Sequence, residues 1–101
     1  MTHVRIWKFR PPAGCHAEFA LAYGADGVWS ALFGRARGYL GTTLFRPGEP
    51  GGWWLTIDRW SSAADFEAFG SAHGDAYRAL DIELEALAEE EEFVGAFDEA
   101  E

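Results

Sequence analysis

The 101-residue sequence contains no asparagine and no glutamine, so a mechanism built on a side-chain amide is excluded. It has one cysteine, Cys15, which forbids an internal disulfide and leaves no thiol spacing for a metal. Basic residues are scarce, 8 Lys and Arg against 17 Asp and Glu, for a net charge of -9. An acidic chain without a dense basic cluster repels phosphate backbones and anionic lipid, so neither nucleic acid nor a membrane is expected as a partner. No apolar run approaches the roughly 18 residues of a membrane helix, and the N-terminus carries no apolar core with a small-residue cleavage site. The expectation is a reduced, cytoplasmic protein.

Aromatic residues are plentiful instead, with five Trp, eight Phe and three Tyr. Hydrophobic residues make up 49% and charged residues 25%, an ordinary globular composition sized for a single domain over residues 1–101. So much large apolar surface on a short chain points to a ligand cavity, an interface, or both. The charge is uneven. Residues 1–60 carry seven basic side chains and four acids, whereas residues 61–101 carry Arg78 and thirteen acids.

Residues His3 to Arg10 alternate, with Val4 and Ile6 on one face and Trp7 and Phe9 on the other, which predicts a strand. Pro11-Pro12-Ala13-Gly14 ends it. Cys15, Phe19, Ala22 and Tyr23 recur at helical spacing, Gly24-Ala-Asp-Gly27 interrupts, and Val28, Trp29, Leu32, Phe33 and Ala36 resume. This reads as one broken helix or two short ones. A second strand runs from about Gly38 to Phe45, a Pro/Gly turn follows, and a third strand covers Trp53 to Trp60. Ser61-Ser62 can cap a helix whose stripe is Phe66, Phe69, His73, Tyr77, Leu80, Leu84 and Leu87, with Gly70 and Gly74 able to kink it near His73. Glu89 to Glu92 reads as a solvated helix end, and Phe93 to Phe97 as a last strand.

The order strand, helix, strand, strand, helix, strand is the βαββαβ pattern of a ferredoxin-like α+β fold with an antiparallel sheet. The core is expected over about residues 3–98, with an acidic C-terminal end. Both faces of its strands carry large apolar groups, although parity does not say which set meets the helices. The second face needs a cover, and a second copy of the chain, sheet to sheet, supplies one. A homodimer is expected.

Gly38-Tyr-Leu-Gly-Thr-Thr-Leu-Phe45, Leu55-Thr-Ile-Asp-Arg-Trp-Ser-Ser62 and Asp65-Phe-Glu-Ala-Phe69 resemble the antibiotic biosynthesis monooxygenase superfamily, as does the closing Glu92-Phe-Val-Gly-Ala-Phe97. Tyr23-Gly-Ala-Asp-Gly-Val-Trp29 and Ala79-Leu-Asp81 are similar to its uncharacterised small bacterial branch. The resemblance covers about residues 3–98. It implies a dimeric α+β barrel with a pocket between the helices and sheet of each protomer. Some members oxidise polyketide-type phenols with neither metal nor flavin, others bind or degrade haem, and others have no established activity. The haem-degrading members share an Asn on the first strand with a Trp and a His on the second helix. This chain has no Asn, and its second helix has no Trp.

His73, on the buried stripe, is the candidate base, since an imidazole among apolar groups stays neutral and can accept a proton. Tyr77 and Arg59 are candidate stabilisers of a substrate anion. Trp7, Trp54, Trp60, Phe66 and Phe69 are candidate walls for a planar ligand. Each has a plainer reading: a core histidine on a backbone carbonyl, core aromatics, an Arg59 neutralised by Asp58, Asp65 or a C-terminal acid. His3 and His16 are expected to be solvated. With no cofactor and no metal, the expected chemistry is deprotonation of an aromatic or polyketide-like phenol or enol and direct reaction with O2. The alternatives are a barrel that merely binds or sequesters a hydrophobic ligand, and haem binding through His73. A solvent-connected cavity of roughly 300 Å³ or more reaching His73 favours a ligand, and a packed core favours none.

Overall fold

Strands and helices follow one another as β1 (His3–Arg10), α1 (His16–Tyr23), α2 (Val28–Phe33), β2 (Tyr39–Phe45), β3 (Trp54–Trp60), α3 (Ala63–Glu83) and β4 (Glu90–Asp98). The computed structural model describes residues 1–100. The strands form one sheet in the order β2-β3-β1-β4, with every neighbouring pair antiparallel. This is the ferredoxin-like α+β fold that the element order implies.

The interrupted helix is two helices. They part between Tyr23 and Val28, and position 27 must be glycine, because a Cβ there would lie 2.3 Å from the carbonyl oxygens of Leu21 and Ala22. Ser62 caps α3 by accepting a hydrogen bond from the Asp65 N–H at 3.1 Å. The helix kinks at His73, whose φ of -125° and ψ of 19° leave the helical region between the two expected glycines. It stops at Glu83, short of Leu87. Leu84 and Leu87 continue the apolar stripe from the following turn and still pack against the core.

Register decides the faces, since directly opposed residues of an antiparallel pair share one. One side carries His3 opposite Trp60, Arg5 opposite Asp58, Trp7 opposite Thr56 and Phe9 opposite Trp54. Phe9 packs at a tilt on Phe19 and Tyr23 of α1, and Trp60 packs on Phe66 and Phe69 of α3, so this is the face beneath the helices. The other side carries Val4, Ile6 and Lys8 of β1 with Arg59, Ile57 and Leu55 of β3. It is apolar and uncovered, with Phe45 and Phe97 exposed.

Two expectations are corrected. Glu90 to Glu92 are not a solvated helix end but the opening of β4. The pairing with β1 sets Glu92 opposite Lys8 at 3.2 Å and Glu90 opposite Arg10 at 4.0 Å, which balances charges that would repel along an isolated segment. His3 is not solvated: it is buried, with Nδ1 2.9 Å from Asp98 Oδ1 across the β1–β4 ladder. Among the described residues, no helix is long and apolar enough to cross a membrane.

Candidate functional site

Between the inner sheet face and the helices lies a cavity of about 270 Å³ that opens to solvent on one side. Trp7 and Phe9 of β1, Tyr23 of α1, Trp29 and Phe33 of α2 and Tyr77 of α3 wall it. Thr42, Thr56 and Asp58 are buried and form its floor, whereas Asp81 and Glu91 are exposed at its rim. Six aromatic rings thus surround a small polar floor, and no basic side chain lines the space. Flat apolar walls with a few convergent polar groups suit a planar ligand anchored at one end.

Asp58 is the centre of the floor. It faces inward because it shares the parity of Trp54, Thr56 and Trp60 along β3. Burial pushes its carboxyl up to about 6, against the opposing pull of the Thr42 hydroxyl and the Arg5 and Arg59 charges. Thr42 Oγ1 donates to Asp58 Oδ1 at 2.6 Å. Arg5 sits opposite Asp58 in the register, and its guanidinium lies 3.9 Å from the Phe66 ring centroid and 4.6 Å from that of Phe93. Burial lowers the Arg5 pKa, while Tyr77 and Asp58 hold the guanidinium charged.

The two tyrosines of the walls keep their protons. Burial pushes Tyr23 up to about 12. The Trp29 indole N–H pulls that value down slightly but does not reach hydrogen-bond geometry and has no partner of its own. Tyr77 is raised by burial and then by the Asp81 charge. Glu91 is raised by burial and by Asp81 in turn, as expected for two carboxylates sharing one rim.

Of the residues that the sequence singles out, Trp7 and Tyr77 line this cavity and the others do not. His73, at the kink, is half-buried and lies against Phe69, ring centroids 5.5 Å apart. The space stops at Tyr77, one turn further along α3. Trp60 is wholly buried, and Phe66 and Phe69 pack edge and face around it. Trp54 is covered by Phe19 and by His16, and it borders a separate open groove at the β2–β3 hairpin together with Arg46. Arg59 points to the outer sheet face, where it donates to Thr43 Oγ1 at 2.8 Å instead of pairing with an acid. Sequence reasoning did not single out Asp58, on the cavity floor, or Arg5, opposite it in the register. The available signal was parity: each is a charged side chain in a set otherwise filled by Trp, Phe and Thr.

Among the described residues, no three His, Cys, Asp or Glu side chains gather as a metal site would require. The sequence offers haem binding through His73, and His73 does not border the cavity, whose lining holds no imidazole or thiol.

The whole fold is similar to SnoaB, a cofactor-independent oxygenase from Streptomyces nogalater, with a TM-score of 0.73 and 23% identity over 99% of this chain and 94% of that one. An asparagine-to-alanine variant of the same oxygenase matches with a TM-score of 0.72 and 21% identity over the same shares. No curated protein sequence matches the chain. The family model for antibiotic biosynthesis monooxygenase matches residues 2–80. With that match over most of its length, the chain belongs to the antibiotic biosynthesis monooxygenase family.

Proposed function

We propose that the protein is a cofactor-independent monooxygenase that takes an aromatic or polyketide-like phenol or enol into the cavity and oxidises it with O2. The observation that carries the reading is Asp58, a carboxyl whose pKa of about 6 lies near neutrality, on the floor of an aromatic-walled pocket. A general base works best when its pKa lies near the working pH. Asp58 takes the role that His73 holds in the sequence reading, because His73 does not border the space. Arg5, not Arg59, supplies the positive charge, since Arg59 faces away.

The charges close at each step. A neutral substrate enters, as suits a lining with three carboxylates and no basic group. The Asp58 carboxylate removes a proton from an enolisable CH2 flanked by aryl rings, and the negative charge passes from Asp58 to the substrate while Arg5 stays positive behind Asp58, outside the lining. The Tyr77 hydroxyl, kept protonated by its raised pKa, remains a donor for the new anion. The anion gives one electron to O2, and the resulting pair combine into a carbon–oxygen bond. The peroxide takes the proton back from Asp58. Loss of water from the hydroperoxide leaves a ketone, with one oxygen atom in the product and one in water. The walls exclude solvent that would quench the anion.

Dithranol, an enolisable tricyclic phenol, is a suitable probe. O2 uptake above the spontaneous background, with quinone formed, is expected, and kcat/KM should rise with pH through about 6 as Asp58 ionises. Asp58→Asn should lower kcat/KM by about 10²–10⁴-fold, the usual weight of a general base. A variant as fast as the parent would dismiss the reading.

We also infer that the outer face of Val4, Ile6, Leu55 and Ile57 is covered by the same face of a second copy, giving a homodimer. The reading is of a cytoplasmic protein, where the lone thiol of Cys15 stays reduced.

A further inference from the structure

Asp58 does not end at Thr42. From its Oδ1 a line of hydroxyls runs away from the cavity: Thr42 Oγ1 at 2.6 Å, the Tyr39 hydroxyl a further 2.5 Å on, Ser30 Oγ 3.1 Å beyond, and the Gly24 carbonyl oxygen another 3.1 Å away. The line crosses from β3 to β2 and then to α2, ending at the break after α1. Thr42, Ser30 and Asp58 are all buried.

We propose that Ser30, Tyr39 and Thr42 form a reversible hydroxyl relay whose direction is set by Asp58, and that they are positioning residues for the proton on that carboxyl. The proposal rests on Asp58 acting as the base.

Counting hydrogens gives the reason. The line has four oxygen–oxygen contacts, and its three hydroxyls bring one hydrogen each. When Asp58 is ionised, Thr42 donates to it and Ser30 donates to the Gly24 carbonyl. Tyr39 then has one hydrogen for two contacts, with Thr42 and with Ser30, so one of the two is left without a hydrogen. When Asp58 carries a proton on Oδ1 a fourth hydrogen is available, and Thr42 turns round. Asp58 donates to Thr42, Thr42 to Tyr39, Tyr39 to Ser30 and Ser30 to the Gly24 carbonyl, so all four contacts are filled. The relay therefore holds one more hydrogen bond in the protonated state than in the ionised one. It gives the proton taken from a substrate a satisfied resting place, from which the peroxide can recover it when the line turns back. The other charged or titratable groups around Asp58 stand outside the line: Arg5 on β1, Tyr23 on α1, Tyr77 and Asp81 on α3, Glu91 on β4, and Arg59 next in sequence on the far face.

The consequence is specific in sign. Deleting either interior hydroxyl removes two bonds from the protonated form. It removes only one from the ionised form, because the remaining hydroxyls can reorient. Both Tyr39→Phe and Ser30→Ala should therefore lower the Asp58 titration midpoint by about one pH unit, the size of one net hydrogen bond.

The test is a 13C NMR titration of the full chain labelled at Asp carboxyl carbons, with Asp58→Asn used to assign the resonance. A midpoint that falls in the two variants supports the relay, and an unchanged or raised midpoint in a folded variant overturns it. Tyr39→Phe keeps the ring that packs on Phe33 and Trp60, so one variant remains informative should Ser30→Ala misfold. No substrate is needed, so this result is separate from whether dithranol is oxidised. If it is, the acid limb of kcat/KM should move with the NMR midpoint while KM on the plateau stays put. A purely structural role would not link the two.

Discussion

A carboxyl held at about 6 in the native state and 3.8 when unfolded makes folding take up a proton between those values. The unfolded chain binds fewer protons there, so the contribution of Asp58 to stability is greatest below about pH 4 and is lost as pH rises through about 6. The ionised, buried form is then carried at a cost of about 2–3 kcal/mol. Asp58→Asn should relieve most of it. Urea unfolding at pH 4.5 and 7.5 should show the variant gaining more on the parent at the higher pH, and an equal gain at both would contradict the burial account. A buried carboxyl carried at that cost supports the base role proposed for Asp58. The cavity is half-legible in the sequence. Tyr77 and Trp7 line it, and the stripe of α3 and the alternation of β1 that single them out are strong periodic signals. Asp58 reads from the sequence only as a neighbour able to neutralise Arg59, since sequence parity separates two faces without naming the inner one. His73 stays on the stripe, half-buried against Phe69, and the cavity ends one turn away at Tyr77, an extent that periodicity does not give.

The elements follow local chemistry where punctuation is strong. Gly38 joins the α2 segment to β2 at φ +91°, and a Cβ there would lie 2.4 Å from Asp65 Oδ2 in the first turn of α3. The Ser61 N–H also donates to the Gly38 carbonyl at 2.7 Å, and Ser61 Oγ donates to that Asp65 carboxylate. The start of α3 is thus locked to the start of β2 through one glycine. Gly38→Ala should cost about 2–3 kcal/mol, the sum of a left-handed residue and a displaced cap, against about 1 kcal/mol for Ser62→Ala. Chemical denaturation of the two variants checks the order, and the reverse order would show the junction to be slack. Pro11-Pro12, the Gly24–Gly27 break and the Ser62 cap were all readable for the same reason: Pro, Gly and Ser act within a few residues. The start of β4 was not readable. Glu90 to Glu92 become strand only because Lys8 and Arg10 lie across the ladder, and that pairing spans more than eighty positions of sequence.

At the scale of the molecule, the sheet has one face beneath the helices and another bearing Val4, Ile6, Leu55 and Ile57, with Phe97 still 48% exposed. Apolar groups at both parities make two apolar faces legible in the sequence, and the helices cover one of them. An apolar sheet face left in water costs roughly 25 cal/mol for each Å² exposed, so a cover of several hundred Å² per copy outweighs the entropy of pairing. Ile57 sits at the middle of that face, opposite Ile6 on one side and Thr43 on the other. Light scattering at micromolar concentration should give about twice the chain mass of 11.2 kDa. Ile57→Asp should return it to the single-chain mass, because pairing would bury a carboxylate in an apolar face without a partner. The cavity lies on the opposite side of the sheet, so the monomeric variant should retain the Asp58 titration near 6. A parent protein that scatters as one chain would leave this face uncovered, and the barrel would then have to be abandoned while the cavity chemistry stood.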